Sequence, residues 1–237
     1  MADRELAIIA KARTTLNDTS DAPRWTTERL MELLSEGQDA MCKDIPLYTC
    51  KATINTVPGQ AEYRLPNDSV RLLRASSQGT ALPILSYDEI EDSNMAWEEV
   101  TGSDVEALVV NALSQQTIRP YPLSNETRAI KTRYHARPIL LGWDEATKDS
   151  DEELTISDMW DEGLKQYVIA MAFLDYGDEA SNSRAQTALG LYNGYYQRAL
   201  KLSKKSFAKR VVTTSYQAKV SSHQGGIYGN SSLRPRY

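Results

Sequence analysis

Residues 160–200 read WDEGLKQYVIAMAFLDYGDEASNSRAQTALGLYNGYYQRAL, and the spacing within that stretch decides the fold class. Trp160, Leu164, Tyr167, Val168, Met171 and Leu174 recur at helical intervals and line one face. Beyond a short polar link, Asp178–Ser183, the same holds for Ala185, Ala188, Leu189, Tyr192, Tyr195, Tyr196, Ala199 and Leu200. Two amphipathic helices joined so briefly fold back on each other as an antiparallel hairpin. Ser183 and Gln186 have the spacing of a capping box, which predicts the start of the second helix there. The hairpin needs other elements of the chain to cover its apolar faces.

The first 45 residues supply a matching pair. Leu6, Ile9, Arg13 and Leu16 sit at helical spacing, and the polar run 17–21 ends that segment. Thr26 can cap a second helix, with Trp25 and Leu30 at the spacing of a hydrophobic staple. Leu30, Leu33, Leu34, Gly37 and Met41 then form its apolar face, ending before Pro46. Between residues 47 and 137 the period changes. Strands are expected at 53–57, 62–65, 70–75, 82–85, 107–111, 117–120 and 129–136, with a short helical excursion at 87–92. Pro120 and Pro122 confine their segment to an edge or a strand end.

The expected organisation is therefore α+β. Helix pairs at 1–45 and 157–206 form a helical bundle, and residues 46–143 are inserted as an antiparallel β-sandwich or barrel-like module. An acidic connector fills 144–156. An extended C-terminal arm runs over 207–237, where Gly225, Gly226, Gly229 and Pro235 break any regular element.

An apolar share of 41% and a mean hydropathy of −0.49 suit a globular protein with polar extensions. No apolar run approaches the roughly 20 residues of a membrane span, and the charged N-terminus lacks a signal-peptide pattern. The expectation is a protein made in the cytoplasm with no membrane partner. Cys42 and Cys50 give neither a disulfide framework nor a zinc pattern, and read as buried small apolar residues. With only His135 and His223 beside them, no metal site is expected. The acidic connector matches no calcium loop, lacking the required central glycine. No phosphate-binding or dinucleotide fingerprint occurs, and Asp161 and Glu162 are adjacent, so they point to different helix faces. Neither catalysis nor a cofactor is expected.

Charge is distributed unevenly. After Glu179 the last 58 residues hold ten Lys or Arg and no acid, while the first 179 hold 17 bases and 32 acids. Arg184 to about residue 206 belongs to the second hairpin helix. The arm mixes bases with apolar anchors: Phe207, Lys209, Arg210, Val212, Tyr216, Ile227, Tyr228, Leu233, Arg234, Arg236 and Tyr237. Such a mixture suits an extended segment that pairs with a partner surface and orders on binding. The alternative is a nucleic-acid-binding tail using Lys204, Lys205, Lys209 and Arg210, with Tyr192, Tyr195 and Tyr196 as base-stacking residues. At helical spacing beside alanines those tyrosines read instead as core or subunit interface.

A resemblance runs through most of residues 13–200. Leu16–Asn17–Asp18, Arg24–Trp25, Glu28–Arg29–Leu30 and Gly37–Gln38 open it. Leu65–Pro66, Arg71–Leu72–Leu73–Arg74, Arg119–Pro120–Tyr121–Pro122 and Tyr134–His135–Ala136–Arg137–Pro138 continue it. It closes in Leu164–Lys165–Gln166–Tyr167–Val168 with Ala172 and Asp175, and in the Ala- and Tyr-rich helix that follows. In this order and spacing the chain resembles the head-to-tail adaptor, or connector, proteins of short-tailed bacteriophages. The resemblance implies a non-enzymatic virion protein forming a ring, typically dodecameric, between the portal protein and the tail nozzle protein. Genomic DNA would pass through that ring without sequence-specific binding. It further implies that the C-terminal arm, here 207–237, docks on the portal.

Overall fold

The computed structural model describes residues 3–111, 116–144 and 152–208, with side chains from 4 to 205. Its helices are α1 (Asp3–Leu16), α2 (Thr27–Cys42), α3 (Tyr87–Ser93), α4 (Asp161–Leu174) and α5 (Glu179–Ala208). The strands are β1 (Thr49–Asn55), β2 (Tyr63–Arg64), β3 (Ser69–Ser77), β4 (Thr80–Leu82) and β5 (Ile84–Ser86), then β6 (Thr101–Gly102), β7 (Ala107–Val110), β8 (Thr117–Tyr121), β9 (Leu123–Ser124) and β10 (Ala129–Ala136). The fold is a mixed α+β one. The chain divides into two compact units, which do not follow its linear order. The first takes in Met1–Ala52, Leu65–Leu73 and Thr132–Ser206, and the second Thr53–Arg64 and Arg74–Lys131. Strands β1, β3 and β10 each contribute residues to both.

The first unit is built on α4, which packs against both α1 and α2. Thr26 caps α2 by accepting a hydrogen bond from the Arg29 amide at 3.1 Å. Trp25 and Leu30, on either side of that cap, are both buried as a staple requires. Leu30, Leu33, Leu34, Gly37 and Met41 are buried as their spacing predicts, and so are Met31, Ser35, Gln38 and Cys42. The buried arc of α2 is therefore wider than one face. In α1 the buried residues are Glu5, Ile8, Ile9, Ala12 and Leu16, while Leu6 is only half-buried.

Two expectations for the hairpin need correction. Leu174 is exposed, and Ile169, Ala170, Ala172 and Phe173 are buried alongside Leu164 and Val168. The helix is enclosed by α1 and α2 as well as by α5, so a single stripe does not describe it. Ser183 is not a helix cap. Gly177, at φ +78°, turns the chain out of α4, and the Asp178 carboxylate accepts from the Ser181 amide, so α5 begins at Glu179. Ser183 lies inside α5 with its side chain exposed. At the other end α5 reaches Ala208, two residues past the expected boundary.

Four strands form a sheet in the order β1-β10-β3-β4, four more in the order β2-β8-β7-β5, and β6 pairs with β9. Strands β3 and β4 are antiparallel and meet through Gln78 and Gly79, both at positive φ. That geometry is the tight hairpin turn that matches strand twist. The pairs β2–β8 and β7–β8 are antiparallel, whereas β5–β7 and β6–β9 are parallel, so the β-region is not purely antiparallel. Pro120 sits opposite Leu108 in a strand that is interior by order. However, β2 covers only Thr117 and Ile118, so the missing N–H of Pro120 leaves no ladder bond unmade on that side. In the second unit Ile90, Trp97 and Val109 form a small core, with Tyr87 and Tyr121 against it. Cys42 is buried as expected, but Cys50 is only half-buried.

Candidate functional site

The helical unit is held by polar contacts that the apolar pattern does not announce. Asp18, buried after α1, accepts from Arg13 Nη1 at 2.8 Å, the Arg24 amide at 2.6 Å and the Trp25 amide at 3.3 Å. One carboxylate thus fixes the chain's turn from α1 into α2. Gln38 in α2 is fully buried. Its Oε1 accepts from the Thr155 amide at 2.8 Å and Thr155 Oγ1 at 3.1 Å, while its Nε2 donates to the Ile139 carbonyl at 3.1 Å. Glu5 accepts from the Leu154 amide at 2.7 Å, and Arg4 donates both to Asp161 and to the Ile156 carbonyl. Leu154 and Ile156 are themselves buried, so residues 154–156 are an integral part of the unit. No periodicity argument could have found these bonds. Their visible traces were the Asp18, Arg24–Trp25 and Gly37–Gln38 positions of the resemblance.

The three tyrosines of α5 occupy different surroundings. Tyr192 is 8% exposed, its ring 5.1 Å from that of Tyr167 in an edge-on arrangement and 6.5 Å from that of Tyr196. Burial drives its phenol well above the ordinary range, which keeps it neutral. Tyr195 lies over Gly163, where an added Cβ would come within 2.9 Å of the tyrosine Cβ. Tyr196 donates to Asp44 Oδ2 at 2.9 Å. Tyr167 covers Gly37 with the same closeness, an added Cβ meeting its Cδ1 at 2.8 Å. Two helix glycines thus let aromatic rings lie directly on the backbone. In this arrangement Tyr192 offers no exposed ring face for a base to stack on.

Two exposed helix faces of the unit are charged. On α2, Glu28, Glu32, Glu36 and Asp39 are exposed at helical spacing, and Arg29 beside them donates to Glu32 at 3.0 Å and to Asp175 at 3.2 Å. On α5, Arg198, Lys201, Lys204 and Lys205 are exposed and make no ion pair among the described residues. Leu191 and Leu202 are exposed beside them. Of the arm residues, Phe207 falls in the last turn of α5, its side chain outside the described residues. Lys209, Arg210, Val212, Tyr216, Ile227, Tyr228, Leu233, Arg234, Arg236 and Tyr237 lie outside them altogether.

No group of three or more His, Cys, Asp or Glu that could hold a metal occurs among the described residues. An open depression of about 390 Å³ in the second unit is lined by Ser76, Gln78, Gly79, Thr127, Arg128, Ala129 and Lys131, with no carboxylate, histidine or cysteine. No helix among the described residues is long and apolar enough to cross a membrane.

Comparison with known proteins adds one finding. The family model described as the SU10 adaptor protein matches residues 6–218. No curated protein sequence matches the chain.

Proposed function

Because the chain belongs to the SU10 adaptor protein family, we propose that this phage adaptor is a virion component assembling as a ring between the portal and the tail nozzle. The ring, typically of twelve copies, surrounds the channel through which DNA leaves, and the arm at 207–237 docks on the portal. The observation that carries the proposal is the span of the family match, which takes in both helix pairs and the β-region between them. The role is structural and not enzymatic, as membership of an adaptor family implies.

The charge distribution supports it independently. The first 179 residues carry 32 acids against 17 bases, and an acidic wall does not grip a phosphate backbone passing it. The basic arm with its apolar anchors suits a protein surface of opposite charge, met by electrostatic steering and then by strand-like pairing.

The mass of the full chain, alone and with the portal protein of the same phage, tests the reading. A fixed ring-sized increment on the portal is expected; a complex holding a single copy overturns it. Removal of residues 207–237 should abolish portal binding while leaving the helical circular dichroism of the body intact. Undiminished binding by that truncation removes the arm from the proposal.

A further inference from the structure

The helical unit carries two exposed stripes of opposite charge, one on α5 and one on α2. At about 100° per residue, Gly190, Leu191, Gly194, Arg198, Lys201, Leu202 and Lys205 share an arc of roughly 120° on α5. All of them are exposed, Leu191 to 52% and Leu202 to 44%. A Cβ added at Gly190 or Gly194 would meet nothing within 4 Å. Nothing inside the protomer therefore requires a glycine at either place, although each weakens the helix relative to alanine. A second helix lying close along the stripe does require them, since the missing side chains let two backbones approach. The cations of the stripe have no acidic partner among the described residues.

The second stripe is its complement. Glu28, Glu32, Glu36 and Asp39 fall within roughly 80° of one another on α2, all exposed. Arg29 and Asp175 adjoin them, joined by a 3.2 Å ion pair, and Lys43 follows at the end of the helix, so carboxylates outnumber cations five to two on this face. Both helices belong to the same compact unit, so every copy of the chain presents both stripes.

We propose that the two stripes are the two halves of one subunit interface: the basic, glycine-notched face of α5 in one copy lies along the acidic face of α2 in a second copy. This deepens the ring reading above and rests on it. An interface made of two different faces is heterologous, and a heterologous contact repeated with a closing rotation generates a ring. Exposed leucines and mid-helix glycines favour a helix as the occupant over a nucleic acid, whose phosphates call for cations alone. The acidic stripe supplies the matching charge on the same molecule.

Charge exchange tests the pairing. One full-length variant reverses the α5 stripe (Arg198→Glu, Lys201→Glu, Lys205→Glu), and another reverses the α2 stripe (Glu32→Lys, Glu36→Lys, Asp39→Lys). Association is followed by sedimentation at about 50 mM salt, free and with the portal of the same phage. Each variant alone sets like charges against like and should associate at least about tenfold more weakly than the wild type. An equimolar mixture of the two restores attraction at every contact and should recover assembly. Gly194→Leu, which adds bulk into space empty in the protomer, should block assembly without lowering the thermal midpoint. If the reversed variants assemble as the wild type does, or the mixture fails to rescue them, the pairing of faces is wrong while the ring stands. If the wild type gains no second copy even on the portal, the ring reading falls with it. Salt-sensitive retention of duplex DNA that the α5 reversal abolishes and the α2 reversal leaves unchanged would overturn the pairing in favour of a nucleic-acid surface.

Discussion

Glycine does opposite work at different places on these helices, and only the structure separates the cases. Gly37 and Gly163 lie under tyrosine rings, whereas Gly190 and Gly194 face open space. Gly163→Ala drives a methyl group against Tyr195 Cβ, an atom close to backbone that cannot swing away, and should cost about 2 kcal/mol of stability. Gly190→Ala and Gly194→Ala should each stabilise the free chain by up to about 1 kcal/mol. Urea unfolding of the variants checks both signs, and a stabilising Gly163→Ala would contradict the packing described. His135 is a second residue whose surroundings the sequence conceals. It is buried, and its Nε2 has no hydrogen-bond partner. Burial first, and then the charge of Arg71, lowers its pKa from 6.5. The unfolded chain therefore takes up the proton before the folded one does, so stability is full above about pH 6.5 and declines as the pH falls below it. The urea midpoint should drop between pH 7 and pH 5.5, and His135→Gln should flatten that part of the profile. An unchanged slope in the variant would assign the acid sensitivity to other groups.

Among the elements, short signals read alike and act differently. The pattern of a serine followed three residues later by Glu or Gln occurs at Ser183–Gln186 and at Ser86–Glu89. Only the second is a cap: Ser86 Oγ accepts from the Glu89 amide at 3.3 Å, and Glu89 Oε2 accepts from the Ser86 amide at 2.7 Å. At the first, the tight turn at Gly177 and Asp178 starts α5 earlier, so Ser183 is already helical. Ser86→Ala should lower stability by about 1 kcal/mol, while Ser183→Ala should leave it unchanged or slightly raise it, since alanine is the better helix former. Thermal melts of both variants check this; equal losses would restore Ser183 as a cap. The long periodic segments were legible because burial on a helix repeats with its turn, as it does from Ala185 to Leu200. The strands were legible because Pro and Gly punctuate them. The wide buried arc of α4 was not, because enclosure by several neighbours erases the contrast between faces, and in α2 the extra buried positions include the polar Ser35 and Gln38, which carry no apolar mark. Nor were the parallel pairs β5–β7 and β6–β9, since short strands carry no local mark of their direction.

For the whole molecule, the charge asymmetry visible at Glu179 falls in two places: exposed cations on α5, without an ion pair among the described residues, and the sequence beyond it. The family resemblance was legible because its motifs keep their order along the chain. The polar bonds of Gln38 were not, because each joins residues about a hundred positions apart. That separation has a consequence for how the protein is made. The helices α1 and α2 leave the ribosome early with Ile8, Leu30, Leu34 and Met41 needing cover, yet the helix that covers them starts at Asp161. At about 5–20 residues per second, roughly 6–24 s of synthesis separate the two. During that interval the nascent chain displays an uncovered apolar helix pair, and it should engage a ribosome-associated chaperone. Ribosome-bound chains stalled at residue 120 should crosslink to the chaperone through α2, and chains stalled well past residue 208 should not. Equal crosslinking at both lengths would show that the early helices find cover without α4.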